Sequence, residues 1–249
     1  MSERRDEREN DRPASGRPDA GKPTPSITHA MEDYLKGIYR LQEAGPAVTT
    51  QALADELGIS GPSATNMVKR LHELRLVEHA PYHGVRLTPA GERVALEVVR
   101  HHRLLELYLA ESLGYAWDEV HAEAERLEHL MSDELEARMD RALGYPTRDP
   151  HGDPIPTPSG EIATVPSQPL PELAVGATAT VVRVSDRSPE RLRYLGDLGL
   201  RPGAAVTMLE KHPFDGPLRL MVDGGEHYVG PTAAAAVWVD RSAIDDGRG

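Results

Sequence analysis

The feature that most constrains the fold is a change of pattern near residue 145. Before this point apolar residues recur at helical spacing, whereas after residue 171 they fall into short β segments. The stretch between, residues 145–171, is rich in proline and glycine, which predicts a linker. With 249 residues, the chain is long enough for two domains or three small ones. The sequence therefore predicts a helical N-terminal part followed by a small β-barrel.

Composition excludes several function classes. The chain has no cysteine, which rules out disulfides, thiolate metal sites and cysteine nucleophiles and is typical of a cytoplasmic protein. The sequence has no apolar run of about 18 residues, so no transmembrane helix is predicted. Residues 1–28 mix charges with proline, glycine and serine and contain no apolar signal core, which predicts a disordered tail. The expected location is the cytoplasm.

The charge is unevenly distributed. A net charge of −12 opposes phosphate binding, but the distribution matters more than the sum. From Ser60 to Thr88 there are four basic and two acidic residues with three histidines. From Ala90 to Gly144 there are six basic and thirteen acidic residues. The first stretch is compatible with DNA binding, and the second predicts a cation site, with an ordinary acidic surface as the alternative.

Three helical segments and a hairpin indicate a winged helix-turn-helix. Residues 30–43 carry apolar residues at helical spacing, and Thr49 or Thr50 can cap a short second helix. Ser60 can cap a third helix, which follows after a short turn. The sequence LVEHAPYHGVRLT then predicts two strands joined by a turn at residues 82–84, which would form the wing.

The third helix is the predicted recognition helix. Asn66 can make a bidentate contact with adenine, and serine and threonine hydroxyls can bind phosphates or bases. Lys69, Arg70 and Arg86 are the predicted phosphate anchors. The alternative is an ordinary helical hairpin with a solvated cap that binds no DNA. The candidate DNA-binding residues are Ser60, Pro62, Ser63, Thr65, Asn66, Lys69, Arg70 and Arg86.

Three more helices are predicted before residue 145. They run from Ala90 to Leu113, from Trp117 to about Met131, and from Ser132 to near Gly144. The second contains WDEVHAEAERLEH, in which four ligand-type residues are spaced i, i+4, i+7 and i+8 and share an arc of roughly 80–100° on a helix. These residues are His121, Glu125, Glu128 and His129.

This spacing points to a metal site. Glu125 and Glu128 lie beside an apolar stripe, where their repulsion is costly unless a cation intervenes. The preceding helix offers His102 and Glu106, again one turn apart, and the first helix offers Asp33. Imidazole and carboxylate donors without thiolate suit a borderline or hard divalent ion. The alternative is a charged helix surface in which the histidines have no special role.

Residues 29–144 resemble the diphtheria toxin repressor family of metal-dependent regulators, and DPHGDPIP in the linker is also similar. The resemblance is carried by EDYLKGIYRLQE, LADELGISGPSATNMVKRLHELRLVEH, LTPAGERVALEVVRHHRLLELYL and WDEVHAEAERLEHLMSDELEARM. Residues 173–240, with LGDLGLRPGAAVTMLEKHPFDGPLRL, resemble the SH3-like FeoA-type domain of the longer members. The resemblance implies a mainly α protein with β parts: a winged helix-turn-helix, a helical dimerisation and metal-binding domain, and a C-terminal SH3-like β-barrel. The expected division is a tail at 1–28, a DNA-binding domain at 29–89, a dimerisation and metal-binding domain at 90–144, a linker at 145–171 and an SH3-like domain at 172–242.

The resemblance also implies two metals per subunit. One site would use His102, Glu106 and His121, completed in some members from the SH3-like domain, where Asp186 and Glu190 are candidates. The other would use Asp33, Glu125, Glu128 and His129. Iron-responsive members usually carry Met and Cys where this chain has Asp33 and Glu125, whereas manganese-responsive members carry carboxylates. One position departs from the pattern, because some short manganese-responsive members carry Glu where this chain has Lys36.

The sequence therefore predicts a cytoplasmic homodimer, not an enzyme, that represses metal-uptake and homeostasis genes. It would bind a palindromic double-stranded operator when Mn²⁺ is bound, with Fe²⁺ as the alternative metal and with no membrane or small organic substrate as partner. A metal between Asp33 and the dimerisation domain would fix the positions of the two winged-helix domains of the dimer. Without metal, the carboxylates would repel one another. Two competing hypotheses are a winged-helix sensor of an organic ligand, which the paired His/Glu helices disfavour, and a metal hydrolase, which the lack of a catalytic motif disfavours.

Overall fold

The computed structural model describes residues 27–43, 45, 48–80 and 84–240, which form eight α-helices and eight β-strands. Almost all of the predicted tail lies outside the described residues, as do Tyr82 and His83 of the predicted wing turn. Within the described ranges, no helix is both long and apolar enough to cross a membrane.

The N-terminal unit has the predicted helix-turn-helix and wing. It contains α1 (His29–Gln42), α2 (Thr50–Glu56), α3 (Gly61–Glu73), β1 (Val77–Ala80) and β2 (Gly84–Leu87). The two strands pair antiparallel, with Glu78 opposite Arg86. Apolar residues of the three helices and the wing, among them Leu35, Val68 and Val85, share one core. The structure confirms the predicted winged helix-turn-helix.

Side-chain caps fix where the helices of this unit begin. The Thr49 hydroxyl accepts a hydrogen bond from the Ala52 backbone N–H at 3.0 Å, and the Ser60 hydroxyl accepts one from Ser63 at 3.3 Å. Each cap satisfies a backbone donor that has no partner inside its helix. The cap at Ser60 sets the start of α3 and thereby determines which α3 side chains face outward.

Helix α4 (Pro89–Leu113) is the central element of the next unit. The Thr88 hydroxyl caps its start at 3.1 Å from the Gly91 backbone nitrogen. Gly114 ends it in the left-handed conformation (φ 74°), which glycine adopts without a Cβ clash. Since α4 packs on α1 and also on the helices that follow, it connects the DNA-binding unit to the metal-ligand residues.

The predicted helix from Trp117 to Met131 is wrong at both ends. Helix α5 spans only Val120–Leu127, a 3₁₀ turn follows at Glu128–Leu130, and α6 spans Asp133–Ala142. The chain turns here because Met131 is extended and Ser132 caps α6. The Ser132 hydroxyl accepts a hydrogen bond from the Leu135 backbone N–H at 3.3 Å. Glu128 and His129 therefore project from a 3₁₀ turn and not from the face of α5.

The segment predicted as a linker packs tightly on both neighbouring units. Asp149, His151 and Ile155 are buried. Arg103 on α4 donates to a backbone carbonyl of the segment, and the His151 carbonyl accepts from the Val184 backbone N–H at 2.8 Å. Proline and glycine content therefore indicated irregular backbone correctly but gave no sign of burial.

The C-terminal unit is a small antiparallel sheet. Its strands are β3 (Ser167–Pro169), β4 (Thr178–Val184), β5 (Ala205–Lys211), β6 (Leu218–Val222), β7 (Gly225–Val229) and β8 (Val237–Asp240), in the order β3-β8-β4-β5-β6-β7. The short β segments predicted after residue 171 correspond to strands β4 to β8, and the structure adds β3 and the helices α7 (Pro189–Asp197) and α8 (Pro231–Ala234). Inward side chains of the strands and α7 form one core, so the unit has its own hydrophobic interior.

Candidate metal centre

Ligand-type side chains from all three units meet in two clusters. Cluster A consists of His102, Glu106, His121 and Asp186, and cluster B consists of Asp33, Glu128 and His129. Within each cluster, one nitrogen or oxygen atom of every residue lies within 4.8 Å of the others. Cluster A joins α4 and α5 to the loop after β4, whereas cluster B joins α1 to the 3₁₀ turn.

Cluster A has closely spaced donors. Glu106 Oε1 lies 2.9 Å from His102 Nε2 and 3.0 Å from His121 Nδ1. Asp186 Oδ2 lies 3.3 Å from His121 Nδ1, so one ligand-type oxygen comes from the C-terminal unit. Of the two candidates expected there, Asp186 reaches the cluster and Glu190 is exposed in the first turn of α7.

The electrostatics of cluster A favour an ionised Glu106 and a protonated His121. Burial opposes ionisation of Glu106, but the neighbouring His102 charge and the histidine hydrogen bonds outweigh it and hold the pKa well below its usual range. Burial also opposes the charge on His121, but Asp186 and Glu106 outweigh it and raise the pKa to about 9. A cation that binds His121 at neutral pH must therefore displace a proton.

Cluster B centres on His129. Its Nε2 lies 2.7 Å from Asp33 Oδ1 and 3.4 Å from Glu128 Oε1. Its Nδ1 lies 2.7 Å from Glu32 Oε2, and the His29 ring stacks on it at 5.0 Å with an interplanar angle of 12°. The Glu32 contact leaves Nε2 as the nitrogen directed at the two carboxylates, an arrangement typical of metal-binding histidines. The sequence had not identified Glu32 or His29.

Glu125 does not join Asp33 and His129 as predicted. Its donor oxygen groups instead with His102 and Glu128, and Lys36 Nζ lies 2.8 Å from Glu125 Oε1 and 2.6 Å from Glu128 Oε1. Burial alone would raise the pKa of Glu128, but His102 and Lys36 outweigh it and lower the pKa to about 2. The expected repulsion between the two glutamates is therefore compensated by a buried lysine.

A third buried group lies behind cluster A and was missed by the sequence analysis. Glu106, Asp149 and His151 have donor atoms within 4.8 Å of one another. Glu106 Oε2 and His151 Nδ1 are 3.7 Å apart, too far for a hydrogen bond, and both are buried without a partner among the described residues. Burial disfavours the charged His151 ring, but Glu106 outweighs it and raises the pKa to about 10. The available signal was DPHG, in which two ligand-type residues lie inside a proline-rich segment.

The residues present fit divalent cations. Buried polar atoms without partners are rare in folded proteins, and two of them lie beside cluster A. The donors are imidazole nitrogens and carboxylate oxygens, which suit borderline or hard divalent ions. Three units of the chain supply the donors, so a bound cation would connect them.

The predicted DNA-binding residues lie largely on one outward face. Five exposed α3 residues at spacings i, i+1, i+4, i+7 and i+8 form it: Pro62, Ser63, Asn66, Lys69 and Arg70. Arg86 is exposed on β2 of the wing. Ser60 caps α3, and the Thr65 hydroxyl donates to the Gly61 carbonyl at 2.9 Å, so these two side chains have local structural partners.

These features define a class of protein: winged-helix DNA-binding proteins whose reading unit is joined to a helical metal-binding domain. Family models for the iron-dependent repressor match twice, as the N-terminal DNA-binding domain at residues 26–85 and as the metal-binding and dimerisation domain at 88–157. A FeoA domain model matches residues 168–241. The chain belongs to the diphtheria toxin repressor family, and it is a metal-dependent transcriptional repressor and not an enzyme.

Individual relatives support this assignment over almost their whole length. The iron-dependent repressor IdeR of Mycobacterium leprae is 35% identical over 229 residues, which cover 86% of this chain and 98% of the relative. A manganese-dependent transcriptional repressor solved in complex with manganese superimposes with a TM-score of 0.80 at 43% identity, covering 84% of this chain and 99% of that one. ScaR with bound Zn²⁺ gives a TM-score of 0.74 at 32% identity, with coverages of 85% and 99%.

Proposed function

We propose that this protein is a Mn²⁺-dependent repressor of metal-uptake and homeostasis genes that binds a palindromic operator as a homodimer. The observation that carries the proposal is cluster B, whose donors come from α1 of the DNA-binding unit and from the 3₁₀ turn of the helical domain. A cation held by both sides selects one relative placement of the two units. That placement determines whether two recognition helices can reach two half-sites together.

Oxygen donors support manganese as the activating metal. Cluster B offers two carboxylates and one imidazole, with the Glu125 carboxylate nearby and no sulfur. Hard oxygen ligands suit Mn²⁺, and the neighbour at 43% identity is described in complex with manganese. Fe²⁺ is the second candidate, because relatives at 35% identity are named iron-dependent repressors.

We assign one metal to each cluster, which gives two per subunit. Cluster A would bind through His102, Glu106, His121 and Asp186. Cluster B would bind through Asp33, Glu128 and His129, with Glu125 as a further ligand once it is released from Lys36. Asp186 then ties the C-terminal unit to the central helices. The two clusters together would fix all three units of the subunit.

We assign the working units by the division expected from the sequence. Residues 29–89 bind DNA, residues 90–144 dimerise and bind metal, residues 145–171 connect, and residues 172–242 form the SH3-like domain. Several large apolar side chains near the ends of α4, α5 and α6 are exposed, which is typical of an interaction surface. We assign the dimer contact to this group, which consists of Leu113, Tyr115, Leu127, Leu130 and Leu135.

The exposed α3 face would read the operator. Asn66 is positioned for a base contact, while Lys69, Arg70 and the wing residue Arg86 would bind phosphates. Ser60 and Thr65 would act by fixing the start of the helix. The protein would work in the cytoplasm, on double-stranded chromosomal DNA.

The test is a metal titration of operator binding. An operator is first selected from a random double-stranded library in the presence of Mn²⁺, and binding is then measured against Mn²⁺, Fe²⁺ under anaerobic conditions, Zn²⁺ and Co²⁺, with bound metal counted per subunit. We expect activation by Mn²⁺ with two ions per subunit. Operator binding that survives strong chelation would contradict metal control, and activation by Fe²⁺ with none by Mn²⁺ would favour the second candidate.

A further inference from the structure

Lys36 is a buried cation inside the group of metal-ligand candidates. It lies on α1, one turn after Asp33, and is 4% exposed. Its Nζ donates to Glu125 Oε1 at 2.8 Å and to the two carboxylate oxygens of Glu128 at 2.6 and 2.9 Å. An ammonium group has three N–H donors, so all three donors are used by ligand-type oxygens.

The oxygens that Lys36 holds are the ones a metal would need. Glu128 Oε1, 2.6 Å from Lys36 Nζ, is also the oxygen that lies 3.4 Å from His129 Nε2 in cluster B. Lys36 Nζ also contacts Glu125 Oε1, and donor atoms of His102, Glu125 and Glu128 lie within 4.8 Å of one another. A metal ion and the Lys36 ammonium would therefore bind the same carboxylates.

We propose that Lys36 is a tethered cation that competes with the metal for Glu125 and Glu128 and so sets the metal concentration at which cluster B fills. This inference rests on the proposed metal binding at cluster B. Metal-depleted protein would keep its glutamates neutralised by Lys36, and binding would require the ammonium to give up hydrogen bonds. The repressor would then respond above a threshold and ignore trace metal.

If Lys36 competes with the metal, removing it strengthens metal binding; if Lys36 instead holds the glutamates in place for the metal, removing it weakens binding. Glu128 is held independently of Lys36, because His102 Nδ1 lies 2.5 Å from Glu128 Oε2 and His101 Nδ1 lies 3.2 Å from the Glu128 backbone carbonyl. Removing the lysine therefore leaves Glu128 in place. It also removes a buried positive charge that repels an incoming cation. Neutral replacements of Lys36 should bind metal more tightly.

The test compares Mn²⁺ binding by the full chain across four variants. Lys36→Gln and Lys36→Met remove the charge, Lys36→Arg retains it, and Arg40→Gln removes a cation that approaches Glu125 only to 3.8 Å. Isothermal titration of metal-depleted protein gives the Kd for each ion bound. We expect the Kd at cluster B to fall at least tenfold in the neutral variants, about 1.4 kcal/mol. The change should stay within about threefold in Lys36→Arg, with a smaller fall in Arg40→Gln.

A second readout separates the outcomes. Neutral variants should melt at a lower temperature than wild type when metal-depleted and gain more from added Mn²⁺, since ligand binding stabilises the folded state. If they fold only with Mn²⁺, the Kd is obtained from the dependence of the melting temperature on Mn²⁺ concentration, and a Kd below that of wild type supports competition. A Kd equal to or weaker than wild type, or no folding at any Mn²⁺ concentration, would overturn the role of Lys36. Wild-type protein that binds no Mn²⁺ would instead overturn the proposed function.

Discussion

Clusters A and B use the same ligand chemistry in different surroundings. In cluster A, His102 is 2% exposed and Glu106 is fully buried, and both project from the long helix α4. In cluster B, the Asp33 side chain is 46% exposed, and the cluster spans α1 and a 3₁₀ turn. Two of the four donors of cluster A are buried on one rigid helix, which suits a structural role, whereas cluster B has a partly exposed carboxylate on the DNA-binding unit, which suits a response. We expect cluster A to hold the subunit together and cluster B to control DNA binding.

The largest effect that tests this comparison is expected at Asp33. Asp33→Ala removes the α1 carboxylate from cluster B, so a bound cation would no longer connect the DNA-binding unit to the 3₁₀ turn. Metal-stimulated operator affinity should fall about 100-fold or more, equivalent to ~2.7 kcal/mol. Electrophoretic mobility shifts at saturating Mn²⁺ would measure it, with circular dichroism to verify the fold.

Asp186→Ala is the matched control for Asp33→Ala. It removes one carboxylate from cluster A, so it should weaken metal binding there while leaving operator affinity at saturating Mn²⁺ within about tenfold of wild type. The comparison fails if the two variants lose operator binding equally. In that case both clusters would carry the response.

The next effect concerns the docking that brings Asp186 to cluster A. Gly152 has φ 88° and lies against the Val182 backbone carbonyl, where a Cβ would collide. Gly152→Ala should lower the free energy of unfolding by ~2 kcal/mol, because strain and clash add. Gly203 has a similar φ of 92° with nothing within 4 Å of its would-be Cβ, so Gly203→Ala should cost ~1 kcal/mol. Urea denaturation of both variants measures the free energy of unfolding that each one loses, and the difference between them is the cost of the clash. Equal losses in the two variants would contradict the close packing at Gly152.

Local signals in the sequence predicted the DNA-binding unit well. Ser60 and Thr49 are hydroxyl caps at the positions expected, and the spacing of apolar residues predicted α1 to within one residue at each end. These features depend on interactions within a few residues, so a single sequence contains them. The pairing of His102 with Glu106 on one face of α4 is local in the same sense.

Long-range features were harder to predict for physical reasons. His151 meets Glu106 across 45 positions of chain, from a segment without periodicity, so only the packed structure brings them together. The 3₁₀ turn at Glu128 was missed because the helical spacing of the ligand-type residues continues past Leu127, whereas the α-helical backbone ends there. Lys36 looked like a departure from a ligand pattern, and its burial among carboxylates follows from the packing of α1 against the turn.

A pH titration sharpens the comparison between the clusters. The pKa of His121 is raised to about 9, so the ring is protonated at pH 7 and must lose a proton to bind metal. Metal affinity at cluster A should therefore rise about tenfold between pH 7 and pH 8 and level off above about 9. Calorimetry in buffers of different ionisation enthalpy would show about one proton released, and His121→Gln should abolish that release. An affinity independent of pH over this range would mean that the ring is neutral before metal binds.

The smallest effect is expected at Glu32, which acts on cluster B through His129. Its carboxylate lies 2.7 Å from His129 Nδ1 and so directs Nε2 at Asp33. Glu32→Gln keeps an acceptor oxygen but removes the charge, so metal affinity should fall about fivefold, below the usual range for such partners. Glu32→Ala should lose more, since no acceptor remains to fix the ring. Binding at cluster A should be unaffected by either change, because Glu32 acts on His129, which is not a member of that cluster. If both variants bound Mn²⁺ as wild type does, the ring orientation would be set by the His29 stack instead.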